Sequence, residues 1–583
     1  MSEEPTTAPV SGADVDVLVV GAGPVGLTAA HELARRGLRV RLVDMAAGPA
    51  TTSRALATHA RTLEVYDQMG VLEELLPRGR RVEHFTLHQG GRRLIRFDTD
   101  YSRLPTRFPF TLMVDQAVTE EVLRAAAARY GVPVEWGVRL DAFADLGDSV
   151  EAVLRHPGGR KEIIRAGWLV GCDGGHSLVR KRLGLPLAGD SSETWLIADA
   201  QVDCDLPQDS IHWMRTPSGT VMLVPFPEQG RWRLLDTAET EYGSERELAD
   251  RFARKITTGS GLPARVELPT WVSVFTIQQR MIPAMRSGRC FVAGDAAHVH
   301  SPASGQGMNT GVQDAVNLAW KLAEVVHGRA EESLLDSYSA ERVPVGAALL
   351  KTTGMATVLI QLNNRFAAAA LRAVFTLVRS VRPLKSKIQR KIMGGMSALD
   401  LSYADGPLAA VAAPAAAPAA GGRAAPPAGD RAAKVTAAGL AASEGWRQLL
   451  AELREPEWTL LAFASPGAGP EAATWAERVR ALAEEWHDAV RVRPVLPGAD
   501  AGAGAGAAGG AGPAGGLPDP LPDPGDRLRA DTGGHPGGWL LIRPDGYTAA
   551  HGPDIGGAAA ALRTLGLRVP APGYRASSAR SRS

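Results

Sequence analysis

The sequence carries almost no net charge. Its 583 residues include 64 Lys plus Arg and 63 Asp plus Glu, which gives a formal net charge of +1 at pH 7. A balanced chain of this kind argues against nucleic acid or an anionic membrane surface as the main partner. Its length exceeds what one hydrophobic core supports, so two or three domains are expected.

Cysteine is scarce as well. The three cysteines, Cys172, Cys204 and Cys290, form no CxxC pair and no metal-ligand spacing. His298 and His300 also lack a matching set of ligands, so we expect no metal site. An odd, sparse set of cysteines excludes a disulfide framework and is typical of the reducing cytoplasm, where we expect the protein to reside.

Long apolar runs are missing too. No stretch reaches about 18 uninterrupted apolar residues, the usual minimum for a membrane-spanning helix. The most apolar helical stretch, residues 355–381, is interrupted by the polar sequence QLNNR and is interpreted as a core or interface helix. Residues 1–14 are acidic and polar, without the layout of a signal peptide, and are predicted to be disordered. We therefore expect no membrane partner.

The N-terminal two thirds of the sequence show an α/β pattern. Residues 15–185 alternate strand and helix patterns, and residues 286–400 return to strand, loop and helices. Between them, residues 186–285 lack long helical periodicity and carry short β-rich runs separated by Pro and Gly, as expected of a sheet. The predicted fold is therefore α/β, with a nucleotide-binding domain formed by the two outer segments and a substrate-binding sheet inserted between them.

A smaller unit follows at the C-terminal end. Residues 401–430 are rich in Ala, Pro and Gly and are predicted to be a linker. Residues 431–572 show the order β-α-β-β-α, interrupted by a Gly/Ala/Pro-rich insert at 498–526 that is predicted to be disordered. The tail at 573–583 is also predicted to be disordered.

The segment VDVLVVGAGPVGLTAAHELARRGLRVRLVD, residues 15–44, indicates a dinucleotide site. Gly21 permits the tight turn, Gly23 lets a pyrophosphate approach the backbone, and Gly26 lets helix and strand pack closely. The following helix presents free N–H groups to the phosphates. Asp44 ends the second strand, where an acid accepts hydrogen bonds from an unphosphorylated ribose. This segment alone leaves FAD and NAD open.

Two distant segments favour FAD. GCDGGHSLVRKRLG (171–184) and GRCFVAGDAAHVHSPASGQGMNTGVQDAVNLAWKL (288–322) accompany the glycine turn. Together the three resemble the fingerprints of the class A flavoprotein aromatic hydroxylases, the family of p-hydroxybenzoate hydroxylase and phenol hydroxylase. The resemblance covers about residues 15–400. It implies a Rossmann-like domain with tightly bound FAD, which NAD(P)H reduces in transient encounters.

The resemblance also implies a set of site residues. Asp295 would hydrogen-bond the ribityl chain, and Arg54 and Gln116 would lie near the pyrophosphate, where an Arg fork makes paired bonds. Arg54 and Pro302 are the flavin-adjacent candidates for a catalytic role. The residues implied to contact FAD are Gly21, Gly23, Gly26, Asp44, Arg54, Gln116, Asp173, Gly174, Asp295, Pro302, Gly305, Gln306, Gly307, Met308 and Asn309.

The loop SPASGQGMN matches the family's contact with the flavin ring. Gly305, Gln306 and Gly307 would bring backbone N–H groups to the ring edge, and a helix beginning at Met308 and Asn309 would favour negative charge there. Arg180 is left open between the nucleotide path and the surface. Three residues further along are interpreted as helix architecture: Asp314, Asn317 and Trp320.

The implied activity is monooxygenation. In the family, FAD, NAD(P)H and O2 hydroxylate a phenolic or polyketide-type aromatic substrate through a C4a-hydroperoxyflavin, in secondary metabolism or aromatic degradation. Baeyer–Villiger oxidation or epoxidation on the same scaffold remains open. A non-catalytic flavin-fold binding protein is less favoured, because the flavin-facing loops are intact. The sequence also leaves open whether the reductant is NADH or NADPH, and whether the protein forms a homodimer or a higher oligomer.

Candidates for the substrate pocket come from the β-rich runs, namely His212, Trp213, Met222 and Phe226, and no base is assigned. The C-terminal unit resembles the thioredoxin-like domain appended in phenol and polyketide hydroxylases. It contains no cysteine, so thiol–disulfide exchange is excluded and a role in packing or oligomer support is expected.

Overall fold

The computed structural model describes residues 13–51, 55–98, 105–300, 305–361, 397–409, 425–465, 470–498 and 517–569. Most of the predicted disordered N-terminus and the whole of the predicted tail therefore lie outside the described residues. So does most of the apolar stretch at 355–381. None of the described helices is long and apolar enough to span a membrane.

The chain forms 25 strands among the described residues, numbered here in chain order. They are β1 (Val15–Val20), β2 (Val40–Asp44), β3 (Ala57–Thr58), β4 (Arg80–Val82), β5 (His84–Gln89), β6 (Arg92–Asp98), β7 (Thr111–Met113), β8 (Val134–Trp136), β9 (Arg139–Asp145), β10 (Val150–Arg155), β11 (Lys161–Gly171), β12 (Ala188–Asp203), β13 (Ser210–Thr216), β14 (Gly219–Pro225), β15 (Arg231–Asp236), β16 (Arg265–Val266), β17 (Trp271–Met281), β18 (Arg286–Ser287), β19 (Cys290–Val292), β20 (His298–Val299), β21 (Trp458–Phe463), β22 (Val490–Leu496), β23 (Leu521–Pro522), β24 (Trp539–Ile542) and β25 (Thr548–Gly552).

Helices connect and cover these strands. The α-helices are α1 (Pro24–Ala34), α2 (Ala60–Gln68), α3 (Leu72–Leu75), α4 (Gln116–Arg129), α5 (Leu178–Arg182), α6 (Glu245–Ser260), α7 (Gly307–Val326), α8 (Asp336–Gln361), α9 (Ala437–Ala441), α10 (Glu444–Glu452), α11 (Pro470–Glu485), α12 (Arg527–Asp531) and α13 (Ala558–Thr564). Short 3-10 helices occur at Leu76–Arg78, Pro157–Gly159, Gly294–Ala296, Glu332–Leu335 and Ile555–Gly557.

The first sheet has the parallel core expected of a nucleotide-binding domain. Its strands run in the order β18-β19-β11-β1-β2-β8, and β1 pairs in parallel with both β11 and β2. Four of the six residues of β1 are buried, because α1 packs against both α7 and α4 over this sheet. A Val/Leu-rich strand covered by helices is the usual centre of such a fold. An antiparallel arm of β9 and β10 extends β11.

The second sheet departs from the predicted boundaries. It has the order β20-β17-β12-β15-β14-β13-β5-β6, so two strands come from residues 84–98, far before the predicted insert at 186–285. β5 pairs in parallel with β13, with His84 opposite Ser210. This sheet is therefore built from three separate stretches of the chain, β5–β6, β12–β17 and β20, and the prediction of one continuous insert is wrong.

The prediction that residues 186–285 lack a long helix is also wrong. Helix α6 is capped by Ser244, whose side chain accepts a hydrogen bond from the backbone N–H of Glu247. Leu248, Phe252 and Ile256 recur every four residues between charged side chains and are buried against one face of the sheet. This spacing is the signature of an amphipathic helix.

The C-terminal unit is a third sheet in the order β23-β22-β21-β24-β25, with β22 parallel and β24 antiparallel to β21. The predicted disorder at 498–526 is wrong for residues 517–526. β23 pairs with β22 there, and buried Asp523 accepts backbone hydrogen bonds from Leu528 and Arg529. Only residues 499–516 of that insert lie outside the description.

The predicted linker at 401–430 is anchored at both ends. Tyr403 is buried, and its backbone N–H bonds the carbonyl of Gly429 at 2.8 Å. Gly429 in turn donates to the carbonyl of Thr548 in β25 at 2.8 Å. The flanks of this segment are therefore packed on the C-terminal sheet, and only residues 410–424 lie outside the description.

Candidate functional site

A cavity of about 370 Å³ lies between the first two sheets. One wall, which we call the motif wall, consists of the loops that follow β1, β11 and β19 together with the start of α7. The other, which we call the sheet wall, is a face of the second sheet. Nine of the residues predicted for the site line this cavity: Gly23, Gln116, Gly174, Trp213, Met222, Asp295, Gly305, Gly307 and Met308.

The three sequence motifs converge because their strands are neighbours. β19, β11 and β1 are adjacent and parallel, so the loops after them meet at one edge of the sheet. Backbone hydrogen bonds continue past the strand ends, from Cys172 N to Val20 O at 2.7 Å and from Ala293 N to Gly171 O at 3.0 Å. The motif wall is thus a continuation of the sheet.

The glycine turn has the shape that a pyrophosphate requires. Gly21 has φ +102°, and a Cβ there would lie 2.4 Å from the carbonyl oxygen of Cys172. A Cβ on Gly26 would lie 1.8 Å from the carbonyl oxygen of Gly21. A Cβ on Gly23, in contrast, would meet nothing within 4 Å, because this residue faces the cavity. Two glycines therefore close the turn and the third leaves room for a ligand.

Asp44 is held at the end of β2. Its Oδ2 accepts from the backbone N–H of Ala22 at 2.6 Å, and its Oδ1 accepts from that of Ala46 at 2.7 Å. These bonds tie the acid to the glycine turn. A carboxylate accepts about four hydrogen bonds, so lone pairs remain for ribose hydroxyls.

In the second motif, Asp173 and Gly174 have different roles. Asp173 does not line the cavity; its Oδ2 accepts from the backbone N–H groups of Leu178 and Val179 at the start of α5. Gly174, with φ +74°, carries the backbone along the cavity. The side chain of Asp173 thus supports the loop rather than facing the ligand space.

Arg180 is buried, so the surface alternative for this residue is wrong. Its Nη1 donates to the carbonyl of Ala296 at 3.1 Å and its Nη2 to that of Gly175 at 2.9 Å. Burial lowers the pKa of its guanidinium from the ordinary value. Arg180 therefore ties the second motif to the third.

Asp295 projects into the cavity. It is exposed there, and no described residue donates a hydrogen bond or forms an ion pair to its carboxylate. Gly294, which precedes it, has φ +63°, and a Cβ at that position would lie 2.8 Å from Val25 Cγ2. The turn thus aims a carboxylate acceptor at the ligand space, as the hydroxyls of a ribityl chain require.

The start of α7 forms the far end of the motif wall. The first intrahelical bond runs from Thr310 N to Gln306 O at 2.9 Å, so the N–H groups of the first turn precede it. Gly307 and Met308 line the cavity at this point, whereas Gln306 is buried and does not line it. The positive end of a helix that faces a cavity favours negative charge on a ligand.

Asn309 fixes this loop from behind. Its Nδ2 donates to the carbonyls of Ala57 and Gly305, both at 2.8 Å, and its Oδ1 accepts from the backbone N–H of His59 at 2.8 Å. The side chain is thus bonded to protein on three sides. Asn309 can therefore influence a bound cofactor only indirectly, by fixing the position of Gly305.

Gln116 lies on the cavity and also braces the chain. Its Oε1 accepts from the backbone N–H of Ala55 at 2.9 Å, and its Nε2 donates to Glu120 Oε1 at 2.8 Å. Arg54 and Pro302, the two catalytic candidates, lie outside the described residues. Their predicted roles stay predictions.

The sheet wall is set by strand alternation. Trp213 and Met222 are opposite each other in β13 and β14 and point into the cavity, with Leu235 of β15 beside them. His212 is the neighbour of Trp213 and faces the other side, where it packs edge-on to Trp232 in the layer covered by α6. The prediction that His212 faces the substrate is therefore wrong, because successive strand residues point to opposite faces.

His212 instead belongs to a buried pair. Its Nδ1 lies 3.0 Å from Nε2 of His88, and its Nε2 lies 2.9 Å from the carbonyl oxygen of Pro207. Burial lowers the pKa of each histidine to about 4. Both rings are therefore neutral at neutral pH.

Phe226 lies behind the wall, so the prediction that it faces the substrate is wrong, and its ring instead packs near Arg233. Phe226 is fully buried and does not line the cavity. The guanidinium of Arg233, which does line it, lies 5.3 Å from the centre of the Phe226 ring. Asp199 holds Arg233 in a two-pronged ion pair, with both N–O distances at 2.8 Å.

Two histidines that were not predicted to be site residues also line the cavity. His59 and His300 line the cavity on either side of the Gly305–Gly307 loop. His59 is 2% exposed, and its Nδ1 lies 3.2 Å from Thr111 Oγ1. A sequence signal was available for His300, which lies within the third motif.

Asp314 has more than the architectural role expected for it. This fully buried carboxylate accepts from Gly294 N at 3.1 Å and from His298 Nε2 at 2.7 Å through Oδ2, and from Arg342 Nε at 2.7 Å through Oδ1. Burial raises the pKa of Asp314, but Arg342 and His298 outweigh it and hold the pKa below its ordinary value. The carboxylate thus fixes the turn that presents Asp295.

The geometry is that of a dinucleotide-binding domain whose motif loops face a second sheet across a cavity. The profile of the family described as "FAD binding domain" matches residues 14–353, more than half of the chain. The chain belongs to this family, and it is an FAD-dependent aromatic monooxygenase. FAD is its cofactor and NAD(P)H its transient reductant, and the glycine turn, Asp44 and Asp295 fit FAD.

Several characterised proteins are similar over nearly their full length. The chain is 51% identical to 6-methylpretetramide 4-monooxygenase of Streptomyces rimosus over 554 residues, which cover 95% of this chain and 93% of the relative. It is 32% identical to the 12-dehydrotetracycline 5-monooxygenase/anhydrotetracycline 6-monooxygenase of Streptomyces rimosus subsp. rimosus, over 94% and 98% of the two chains. The solved structure of OxyS anhydrotetracycline hydroxylase from Streptomyces rimosus superposes with a TM-score of 0.68 at 28% identity, covering 95% and 100%.

Proposed function

We propose that this monooxygenase hydroxylates a phenolic ring of a fused-ring aromatic polyketide, of the kind that precedes tetracyclines. The observation that carries the proposal is the sheet wall, an apolar face that presents one fixed guanidinium opposite the flavin loops. The 51% identity to 6-methylpretetramide 4-monooxygenase over 95% of the chain supports the same substrate class.

The cavity suits a flat apolar molecule. Its volume of about 370 Å³ is bounded by both walls, so the flavin ring and the substrate share it. Trp213, Met222 and Leu235 form a continuous apolar surface across three adjacent strands. Fused aromatic rings pack well on such a surface and exclude water from the reacting edge.

Arg233 is the residue that we assign to the substrate's oxygen. Its side chain is 4% exposed, and Asp199 orients it through two hydrogen bonds. A guanidinium beside the ring stabilises the phenolate or enolate form of a bound substrate. The anionic form is richer in electrons at the positions next to and opposite the oxygen, and is therefore attacked faster by an electrophilic oxygen.

The motif wall serves the cofactor. Bound FAD supplies the redox chemistry, by accepting a hydride from NAD(P)H and activating O2. Asp295 accepts hydrogen bonds from the ribityl chain, and the first turn of α7 stabilises negative charge near Gly307 and Met308. The two walls together hold the substrate ring and the flavin in contact and keep water out.

We also infer that the C-terminal unit is a thioredoxin-like domain with a packing role. The order β22-β21-β24-β25, with a parallel pair joined by α11 and an antiparallel hairpin, supports this assignment. All three cysteines lie before residue 291, so the domain carries none for thiol exchange. The same scarce, free cysteines support a cytoplasmic location.

The test is a product analysis with two substrate classes. Purified holoenzyme is supplied with NADPH or NADH, air and either a tetracyclic phenolic polyketide or a single-ring phenol. We expect the polyketide to accelerate nicotinamide oxidation and to gain one oxygen atom by mass, and the single-ring phenol to do so weakly. A product in which oxygen has entered a ring bond next to a ketone, or equal turnover of the single-ring phenol, would contradict the proposal.

A further inference from the structure

The turn between β24 and β25 of the C-terminal unit carries two buried charges. Arg543 donates to both carboxylate oxygens of Glu341 in α8, at 2.7 and 3.0 Å. It also pairs with Asp545, two residues along, at 3.0 and 2.6 Å. The three side chains are between 0% and 3% exposed, so all of them are out of contact with solvent.

These charges reach helix α7. Asp545 Oδ2 accepts from the indole Nε1 of Trp320 at 3.1 Å. Glu341 Oε2 accepts from Asn317 Nδ2 and from Lys321 Nζ, both at 2.7 Å. Lys321 is so completely enclosed that burial lowers its pKa to about 8, although Glu341 opposes the change. Trp320 thus joins α7 directly to the C-terminal unit, and Asn317 and Lys321 join it through Glu341.

The network continues to the flavin loops through the neighbour of Glu341. Arg342 donates to Asp314 Oδ1 at 2.7 Å and to the backbone carbonyl of Thr310 in the first turns of α7 at 3.1 Å. Asp314 in turn holds the backbone N–H of Gly294, next to Asp295. Glu341 therefore bonds the C-terminal turn, and its neighbour Arg342 bonds the residues that hold the cofactor loop.

Such a network constrains position. A buried charge without its partners is strongly unfavourable, whereas a fully paired set is tolerated. Glu341 is satisfied only when α7, α8 and the C-terminal turn are docked in one arrangement. That arrangement fixes where the start of α7 and the Gly294–Asp295 turn lie in the cavity.

We infer that Arg543 and Asp545 are positioning residues of the FAD site, so that the C-terminal unit contributes to cofactor affinity without touching the cofactor. The inference rests on FAD being bound at the motif wall, and it is independent of the substrate proposed above. It assigns to this unit a role beyond packing.

The test compares FAD binding by Arg543→Gln, Arg543→Lys and a control, without any substrate. The control is Arg568→Gln, which removes an exposed ion pair to Glu331 that also links the C-terminal unit to the first domain. FAD is removed, and its dissociation constant is measured by flavin fluorescence. We expect about tenfold weaker binding in Arg543→Gln, partial recovery in Arg543→Lys, and a wild-type constant in Arg568→Gln.

A second measurement separates positioning from general stability. FAD raises the melting temperature of a protein by an amount that grows with the logarithm of its affinity for the folded state. We expect the increase to shrink in Arg543→Gln, whereas a purely structural defect would lower the melting temperature equally with and without FAD. If Arg543→Gln is insoluble, Asp545→Asn, which keeps the side-chain shape, serves instead. Wild-type FAD affinity in a soluble variant would overturn the inference, whatever the substrate proves to be.

Discussion

The two walls of the cavity are built in different ways. The motif wall is mainly backbone, and its loops are fixed from behind by buried polar side chains such as Asp314 and Asn309. The sheet wall is made of side chains, and its backbone is fixed by the strand ladder. Loops held by buried polar side chains present fixed backbone N–H groups to a cofactor. Side chains on a ladder can change without moving the backbone, so we expect the sheet wall to determine which substrates bind.

The largest expected effect is on the motif wall. Asp295→Ala should give protein that is largely free of FAD, because each hydrogen bond to the lost carboxylate contributes about 2 kcal/mol, or about thirtyfold in Kd. The measurement is the ratio of flavin to protein absorbance after purification. Asp295→Asn, which keeps one acceptor oxygen, should retain an intermediate amount. Full flavin content in Asp295→Ala would show that this carboxylate does not bind FAD, and the assignment of the motif wall to the cofactor would lose its main support.

The next effect is on the sheet wall. Arg233→Met should keep its FAD but lose about 100-fold in kcat/KM, because no cation remains to stabilise the phenolate. Its pH–rate profile should move to higher pH, since the substrate must then ionise unaided. Asp199→Asn is the companion variant, and should show a smaller loss with the charge of Arg233 retained. An unshifted profile in Arg233→Met would exclude it as the group that stabilises the anion.

A smaller effect should separate the two faces of one strand pair. Met222→Ala enlarges the cavity and should change the ratio of kcat/KM between tetracyclic and single-ring phenols by about tenfold. His212→Gln alters the opposite face and should leave that ratio unchanged while lowering stability. Both ratios come from competition assays followed by mass analysis. Equal changes in the two variants would mean that the face assignment is mistaken.

The smallest effect concerns acid stability. His88 and His212 have folded-state pKa values of about 4, below the ordinary 6.5. Between these values the unfolded chain binds protons that the folded chain does not, so stability falls as pH drops from 6.5 towards 4. Thermal unfolding at pH 7.5 and pH 5 should show this decrease. The double variant His88→Gln/His212→Gln should show less of it, and an equal slope in both proteins would argue against the neutral pair.

The motif wall could be predicted from the sequence better than the sheet wall, because the first is built from local backbone turns and the second from strand pairing. Gly21, Gly26 and Asp295 have local causes, such as a positive φ or a close backbone approach, and these are visible in a short motif. Whether Trp213 or His212 faces the cavity depends on the pairing of β13, which no local pattern fixes.

Other features depend on contacts remote in sequence. The pair of Arg543 and Glu341 joins residues 202 apart, and β5 joins β13 across more than 120 residues. Neither can be deduced from local spacing. Helix α6 differs from these cases, because the four-residue spacing of Leu248, Phe252 and Ile256 was present in the sequence.

The parallel pairing of β5 with β13 bears on how this enzyme can be re-engineered. A chimera that exchanges residues 186–285 alone would pair a foreign β13 with the resident β5, so the side chains that meet along this pairing would come from two different proteins. The transplantable unit is discontinuous and includes residues 84–98. Chimeras that exchange both stretches together should acquire the donor's substrate specificity. Chimeras that exchange only one of them should fail to form the pocket.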